Sequence, residues 1–351
     1  MKTKRAVLMC FAVMLILAIT GLAGCAKKTD KYDVVIQLKW LPQAQFMGYY
    51  VAEAKGYYAE EGIKVKIVPG GGDVPETMAV HNGTANVGVT WVANLLSSQA
   101  AGLDLIEIAQ IYQRSGLVLV SKKEAGLKTG ADLAAPNVTV GNWGFGNEYE
   151  IKALLQKNGI AKDLKSQDFT MDGFHNGEIT AASAMTYNEL GLVRNSYEGG
   201  LKYGDNVNII DMNTEGVAML EDCMFVNKTW AAANSDKLTK FLRASLKGWK
   251  AACENPDEAA GIVFKAGSSV SDAHQKYMAA EVKKLVLTDT KDNAVALTSI
   301  GIMDDAALQQ TIDMTKTYAG LTDPAAAAKL KNLTINDLRT KEYWDKAVKG
   351  L

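Results

Sequence analysis

The sequence predicts an α/β protein of two doubly wound lobes joined by a hinge of two crossings. Short β-branched runs alternate with segments of helical periodicity, which is typical of βαβ units around a mainly parallel sheet. The alternation begins near residue 32 and starts again after residue 130. A chain of 351 residues is also longer than one hydrophobic core usually supports. We therefore expect two sheets, one in each lobe.

Residues 1–24 have the features of an export signal rather than of a folded element. Basic residues lie at the extreme start, and a stretch of low polarity follows from 6 to 23. This stretch ends in Leu22-Ala23-Gly24-Cys25, which resembles the bacterial lipobox. We expect Cys25 to be the acylated first residue of the mature protein. The alternative is a single membrane-spanning anchor, for which the stretch is short.

Residues 25–31 are hydrophilic and predict a short tether between the anchor and the fold. Under either interpretation the remainder of the chain lies outside the cytoplasm, on the periplasmic side or at the cell surface. The lipid anchor would attach it to the cell membrane, because two or more acyl chains give stable anchoring.

The first lobe is expected to comprise 32–121 and 215–351. Its early part contains β-branched runs separated by helical segments. The predicted strands are 34–36, 65–68, 87–89, 105–111 and 117–121, and the predicted helices are 49–55, 76–81 and 93–101. The polar stretch 122–130 that follows predicts the first crossing between the lobes.

The second lobe is expected at 122–214, where the same alternation restarts. Its predicted strands are 138–140, 184–186 and 207–211, and its predicted helices are 148–158 and 188–194. A strand at 224–226 then leads back into a helical tail of the first lobe. A stripe of apolar residues at helical spacing in that tail predicts buried core. The stripe is Leu238, Phe241, Leu242, Leu246 and Trp249.

The composition excludes several classes of function. The formal net charge is −1, so there is no basic field to hold nucleic acid. His81, His175 and His274 stand far apart without acidic or Cys partners at metal spacing, so we expect no metal site and no cofactor. Cys223 and Cys253 allow either a disulfide or two buried free thiols. We expect a monomer.

Catalysis is also not predicted. Ser115 has no His and Asp companions and no Gly-x-Ser-x-Gly motif is present. The glycine-rich segments 70–72 and 141–146 match no nucleotide fingerprint. We interpret the first as a flexible strand-to-helix turn and the second as a place where a ligand ring approaches the backbone. Acidic residues near predicted helix starts are interpreted as helix-dipole partners or acceptors of ligand hydroxyls. They are Glu148, Glu189, Glu221 and Asp222.

Aromatic and amide residues recur just after the predicted strands of both lobes. Ligands of open α/β sheets bind outside the carboxyl ends of the strands, so these residues are the candidate site. The predicted ligand-binding residues are Trp40, Gln43, Gln45, Phe46, Trp91, Arg114, Asn142, Trp143, Asn147, Glu148, Tyr187 and Asn188. Any single aromatic among them fits buried packing equally well. Their recurrence in both lobes favours binding of a flat, mostly uncharged ring.

We expect Trp40, Phe46, Trp91 and Tyr187 to frame that ring. The polar members of the set would bind its edge or tail. Closure of the hinge around the ligand would then complete the site from both sides.

Two runs near the start of the fold carry a family resemblance. QLKWLPQAQFMGYY at 37–50 and KGYYAEEG at 55–62 resemble the thiamine-pyrimidine-synthase-like solute-binding superfamily. The resemblance implies the type II periplasmic-binding fold, a small-molecule ligand, and an ABC permease and ATPase as partners. Binders in this superfamily take pyrimidine precursors, riboflavin, alkanesulfonates, taurine or nitrate. Its pyrimidine-synthesising enzymes carry a cysteine-rich iron motif, which is not found here, so their activity is not implied.

Three further segments, at 110–116, 144–148 and 185–189, look most like the riboflavin-binding branch. Riboflavin is therefore the favoured ligand, and a thiamine-precursor pyrimidine is the alternative. Nitrate and sulfonates need a cage of cations and helix amino ends, whereas the strand-end segments offer chiefly Lys39 and Arg114. We consider anion binders, and an enzyme of pyrimidine synthesis, to be weaker alternatives.

Overall fold

The computed structural model describes residues 32–144, 148–197 and 199–351. The predicted signal (1–24), Cys25, the tether (25–31), Asn147 and the side chain of Glu148 lie outside this described part. Within it, every helix is too short or too polar to cross a membrane.

The strands form where β-branched residues cluster. They are β1 Val34–Gln37, β2 Val65–Val68, β3 Val87–Trp91, β4 Leu105–Gln110, β5 Leu117–Lys122, β6 Val140–Asn142, β7 Leu164–Ser166, β8 Ala182–Met185, β9 Val207–Asp211 and β10 Asp222–Asn227. Most predicted strand positions are confirmed to within about two residues, with β7 the exception because its three residues are mostly polar.

The helices connect these strands and then build the tail. They are α1 Met47–Ala54, α2 Tyr57–Glu60, α3 Glu76–His81, α4 Val92–Ala100, α5 Glu148–Lys157, α6 Asp172–His175, α7 Glu189–Arg194, α8 Lys228–Ala233, α9 Ser235–Glu254, α10 Pro256–Lys265, α11 Asp272–Leu287, α12 Asp305–Tyr318, α13 Pro324–Asn332, α14 Ile335–Leu338 and α15 Glu342–Ala347. Short 3₁₀ turns lie at Ala44–Phe46, Lys123–Ala125, Gly130–Ala134, Leu297–Ser299 and Val348–Gly350.

The sheet of the first lobe has the order β2-β1-β3-β10-β4. β1 pairs in parallel with β2 and β3, while β10 is antiparallel to both β3 and β4. The predicted doubly wound, mainly parallel sheet is thus confirmed. One strand is reversed, because β10 enters from the second lobe.

The second lobe repeats this arrangement. β8, β5 and β9 form one sheet and β6 pairs in parallel with β7, while a bridge from Val140 to Ala181 joins the two groups. β5 is antiparallel to both β8 and β9. The order β7-β6-β8-β5-β9 therefore matches that of the first lobe, with β5 in the place of β10.

This pairing corrects one predicted boundary. The sequence pattern places 117–121 in the first lobe, but among the described residues β5 pairs only with strands of the second. The first crossing is therefore the segment 111–116, and 122–130 is a surface connection inside the second lobe. The second crossing, 212–221, falls close to the predicted return.

Hydrogen bonds tie the two crossings to each other and to both lobes. The Glu221 carboxylate accepts from the Gly116 backbone N–H (2.9 Å) and from the Ser115 hydroxyl (3.1 Å). The backbone N–H of Met219 donates to Glu150 of α5 in the second lobe (2.7 Å). The backbone N–H of the next residue, Leu220, donates to the Thr311 hydroxyl of α12 in the first lobe (2.9 Å). Met219 and Leu220, two neighbouring residues of the second crossing, are thus hydrogen-bonded to opposite lobes.

The helical tail packs against the first lobe, with α9 lying chiefly on α1. The apolar stripe predicted for it lies on α9, and all of its members are buried in the main core, which confirms the interpretation as core. Trp249 of this stripe contacts Tyr49 of α1 edge to face, with ring centroids 5.5 Å apart. The tail therefore fixes the backbone that follows β1, where the candidate site begins.

Candidate ligand-binding cleft

A cavity of about 380 Å³ lies between the lobes. Its first-lobe wall follows the carboxyl ends of β1, β2 and β3, and its second-lobe wall follows those of β6, β7 and β8. The first-lobe lining is Lys39, Trp40, Gln43, Gln45, Gly71, Gly72, Asp73, Val74, Pro75, Glu76, Trp91 and Asn94. The second-lobe lining is Trp143, Gly144, Phe169, Met185, Tyr187, Asn188 and Glu189. Equivalent strand ends of two similar sheets thus face one hollow.

Aromatic side chains from both lobes form much of the lining. They are Trp40, Trp91, Trp143, Phe169 and Tyr187. Trp40 and Phe169 touch across the cleft, with ring centroids 4.7 Å apart. Trp143 donates its indole N–H to the Asp168 carbonyl (3.0 Å), which fixes the plane of its ring. The cavity therefore offers flat apolar faces in fixed orientations.

A buried polar network forms the inner end of the first-lobe wall. Gln45 donates its amide N–H groups to the Asp222 carboxylate (2.9 and 3.1 Å), and Trp91 donates its indole N–H to the same group (3.1 Å). Gln43 in turn donates to the Gln45 side-chain oxygen (3.0 Å). Burial raises the pKa of Asp222 to about 7, and the Gln45 hydrogen bond opposes this rise.

A second network lies at the start of α7. Glu189 accepts from the Met185 backbone N–H (2.9 Å) and from the Asn188 side chain (2.7 Å). The Asn188 oxygen contacts His274 of the first lobe (2.8 Å), whose other ring nitrogen contacts the Tyr197 hydroxyl (2.6 Å). Burial raises the pKa of Glu189 to about 6 and lowers that of His274 to about 4. At neutral pH this link between the lobes contains a neutral imidazole.

The charged residues of the lining are mostly acidic. Lys39 is the one cation among the lining residues, and it is paired with Glu76 (3.5 Å) and lies 5.0 Å from the centroid of the Trp91 ring. Asp73 and Glu189 add two more carboxyl groups without further cations. This balance disfavours an anionic ligand.

Most of the predicted site residues surround this one cavity. Those that line it are Trp40, Gln43, Gln45, Trp91, Trp143, Tyr187 and Asn188. Trp40 and Trp143, from different lobes, share the hollow that the prediction required. Whether each residue contacts a ligand stays a prediction.

Three predicted residues lie elsewhere. Phe46 is fully buried in the first-lobe core, because the 3₁₀ turn at 44–46 points it inward beside Met47. Arg114 pairs with Asp292 (2.5 Å) and does not line the cavity. Asn142 accepts from the Gly144 backbone N–H (2.8 Å), so it shapes the turn that follows β6 rather than the cavity wall. Asn147 and the Glu148 side chain lie outside the described residues.

Several lining residues were not predicted as ligand contacts. Phe169 follows β7, a strand too short and polar to recognise. Asp222, which holds the lining residues Gln45 and Trp91 without lining the cavity itself, opens β10, whereas the candidate set was drawn from residues that follow strands. Because β10 is antiparallel, its amino end lies at the edge where the parallel strands end. The reversed direction of one strand is the signal that was missed.

Two glycines shape the cavity wall. Gly144 has φ +82°, a left-handed conformation that glycine adopts freely, and it lines the cavity beside Trp143. A Cβ on Gly70 would lie 2.2 Å from the Leu38 carbonyl oxygen, so the turn after β2 packs directly on the backbone after β1. Gly70, the first residue of that segment, thus serves close packing.

Chemically reactive groups outside the cleft are few in the described residues. Cys223 and Cys253 are buried free thiols, and burial raises the pKa of Cys253 to about 12. The described part of the chain has no cluster of three or more His, Cys, Asp or Glu side chains with metal-binding geometry.

The fold and the cleft together define a two-lobed protein with the periplasmic-binding-protein fold. Among solved structures, the periplasmic aliphatic sulphonate binding protein SsuA from Escherichia coli superposes with a TM-score of 0.61 at 13% identity, covering 84% of this chain and 91% of that one. The fold expected from the resemblance is therefore confirmed.

The chain belongs to the NMT1/THI5-like family, whose model matches residues 43–259. It is 26% identical to the formylaminopyrimidine-binding protein of Halalkalibacterium halodurans over 72% of this chain and 77% of the relative. It is 29% identical to the riboflavin-binding protein RibY of Chloroflexus aurantiacus over 65% of this chain and 64% of the relative. It is 22% identical to the 4-amino-5-hydroxymethyl-2-methylpyrimidine phosphate synthase of Aspergillus parasiticus over 62% of this chain and 65% of that enzyme.

Proposed function

We propose that this protein is the extracytoplasmic solute-binding component of an ABC importer and that it captures riboflavin between its lobes. The observation that carries the proposal is the set of aromatic side chains from both lobes around one cavity. A flat heterocycle held between such faces gains about 0.5–1.5 kcal/mol per aromatic contact beyond its burial.

The size of the cavity supports a ligand larger than one ring. About 380 Å³ falls in the range of sites for drug-sized molecules. A tricyclic ring would occupy the aromatic part, and a sugar-alcohol chain would reach the carboxyl groups of Asp73 or Glu76. Carboxylates accept hydrogen bonds from hydroxyls, which suits a polyhydroxyl tail.

The alternative ligand is a thiamine-precursor pyrimidine. The formylaminopyrimidine-binding relative matches a larger share of its own length, 77%, than the riboflavin-binding relative does. A single ring would fill only part of the cavity and would need the lobes to close further. Sulfonates and nitrate are disfavoured, because the lining has one paired lysine against three carboxyl groups.

Location and partners follow from the same proposal. The lipobox-like sequence at 22–25 supports export and acylation of Cys25, which would hold the protein at the outer face of the cell membrane. An ABC permease and its ATPase would receive the loaded, closed form. The protein would act as a monomer that neither changes its ligand nor uses a cofactor.

Fluorescence titration tests the ligand directly. Purified protein lacking residues 1–24 is added to riboflavin, and quenching of flavin emission is followed. Saturable quenching at micromolar protein supports the proposal, and unchanged emission rejects riboflavin. Calorimetry with a 4-aminopyrimidine on the same preparation tests the alternative. Recovery of unchanged ligand after denaturation separates a binding protein from a pyrimidine-synthesising enzyme.

A further inference from the structure

We infer that Asp222 is a positioning residue that makes the inner wall of the cleft a hydrogen-bond acceptor, so that the ligand must present a ring N–H or amino donor there. This inference rests on the proposed binding function and specifies the chemistry of the ligand edge. It follows from the direction of each hydrogen bond in one buried chain of side chains.

The chain starts at the Asp222 carboxylate. Both of its oxygens accept from the Gln45 amide nitrogen (3.1 and 2.9 Å), and one also accepts from the Trp91 indole (3.1 Å). Above its pKa of about 7, Asp222 is a carboxylate with no proton to donate, and the Trp91 indole N–H can only donate. Every partner of Asp222 must therefore be a donor, and the Gln45 amide is held with its nitrogen toward Asp222.

That constraint sets the orientation of the next amide. With its nitrogen at Asp222, Gln45 turns its oxygen toward Gln43 and accepts from the Gln43 nitrogen (3.0 Å). The orientation of a side-chain amide is normally inferred from its neighbours. Here a group that can only accept determines two successive amides.

The chain ends at the cavity. Gln43 lines the cleft, and among the described residues its side-chain oxygen has no hydrogen-bond donor. Gln43, Gln45 and Asp222 are each at most 5% exposed, so bulk water does not compete along the chain. A ligand in the cleft therefore meets the Gln43 carbonyl oxygen, and an N–H or amino group satisfies it.

The wall of the cleft in the second lobe is likewise organised around a hydrogen-bond acceptor. Glu189 lines the cleft and accepts from the Asn188 side chain and from the Met185 backbone N–H, so a carboxyl group orients its neighbours there as well. A ligand edge composed only of acceptors would leave the Gln43 oxygen unpaired in a buried site, which is costly.

The test compares riboflavin with its N3-methyl derivative, which keeps the ring but loses the ring N–H. The same comparison is made between a 4-aminopyrimidine and its dimethylamino analogue. For the wild type we expect the donor-bearing member of the bound pair to bind at least about tenfold more tightly. Equal affinity for the two members would overturn the inference while leaving the binding function intact.

Asp222→Asn is the informative variant, because asparagine both donates and accepts. Asparagine keeps the shape of the side chain, and its oxygen can accept from Trp91 while its nitrogen donates to Gln45. The Gln45 and Gln43 amides then both reverse, so that Gln43 presents its nitrogen to the cleft. We expect the affinity ratio of the pair to fall by about tenfold. Trp91→Phe is the matched control, since it removes one bond to Asp222 without reversing the chain. It should weaken both ligands and leave their ratio unchanged.

Gln43→Met provides a second route if Asp222→Asn does not fold. It removes the terminal oxygen and leaves Asp222 and Gln45 in place, so the ratio should again fall. A wild-type ratio retained in Gln43→Met overturns the inference. Binding of neither pair by the folded wild type overturns both the inference and the proposed function.

Discussion

Trp40 and Phe169 bring the two lobes into contact across the cleft, with ring centroids 4.7 Å apart and planes inclined by 60°. Phe169 is 47% exposed, so the pair lies at the rim of the cavity rather than in its interior. When the lobes move apart to release a ligand, these two rings must separate.

Phe169→Ala should therefore speed ligand release. Loss of one aromatic pair is worth about 0.5–1.5 kcal/mol, which corresponds to roughly a two- to tenfold increase in the dissociation rate. Stopped-flow release of bound flavin measures it. Phe264→Ala is the control, because Phe264 is exposed on α10 and does not line the cavity. Equal rates in both variants would show that the rim contact has no role in retention.

Arg114→Ala should leave ligand affinity within about twofold of the wild type, because Arg114 pairs with Asp292 outside the cavity lining. Trp91→Ala, which removes part of the cavity wall, should weaken binding by at least tenfold. Isothermal titration of the two variants compares them. A large loss in Arg114→Ala would mean that the ligand extends beyond the described cavity.

Gly144→Ala should lower both stability and affinity. A non-glycine residue at φ +82° costs about 1–2 kcal/mol, and the turn positions Trp143. Gly177 has φ +79° on the exposed surface of the second lobe, so Gly177→Ala should cause a similar loss of stability without a loss of affinity. Thermal denaturation of the two variants measures the cost of backbone strain. Ligand titration then shows whether the geometry of the site has changed as well.

Stability should fall as the pH rises from about 4.5 to 8. Burial raises the pKa of Glu150 to about 8, and burial together with the nearby Glu150 raises the pKa of Glu221 well above its usual value. In this range the folded state holds more protons than the unfolded state, so the free energy of unfolding decreases with pH. Each unit by which the folded pKa exceeds the unfolded one corresponds to about 1.4 kcal/mol.

Glu150→Gln tests that assignment, because glutamine still accepts from the Met219 N–H but carries no charge. The free energy of unfolding, measured with denaturant at pH 5 and at pH 8, should differ less between the two pH values in this variant than in the wild type. Glu124→Gln, at an exposed position, should keep the wild-type difference. A wild-type protein that is more stable at pH 8 than at pH 5 would contradict the prediction.

Riboflavin 5′-phosphate should bind at least about tenfold more weakly than riboflavin, because its phosphate would enter a cleft with Asp73, Glu76 and Glu189 and one paired lysine. Asp73→Asn should reduce the difference in affinity between riboflavin and its phosphate ester. Tighter binding of the phosphate ester would reverse our assignment of an uncharged ligand.

Local sequence patterns predicted most of the fold. The valine-rich runs at β2 and β3 and the apolar stripe on α9 need only their own neighbours to be recognised. The position of β5 could not be obtained this way, because it depends on pairing with β8 and β9, which lie far along the chain. Its own residues fit either sheet.

The candidate site was predictable where a side chain follows directly from a strand end, as for Trp91 and Trp143. Phe46 differs because a 3₁₀ turn between the strand and α1 rotates it into the core. Asp222 needed the direction of β10, and Phe169 needed the second lobe to be placed against the first. These are relations between distant segments, which composition and periodicity do not contain.

The reversed strand in each sheet also limits how the molecule can be divided. In the part of the chain that the structure describes, β4 joins its sheet only through β10, and β10 comes after the whole second lobe in the sequence. A fragment ending before Asp222 would expose the edges of β3 and β4 to pairing with other chains. The sheet of the first lobe can therefore form in full only after the ribosome has synthesised the whole second lobe.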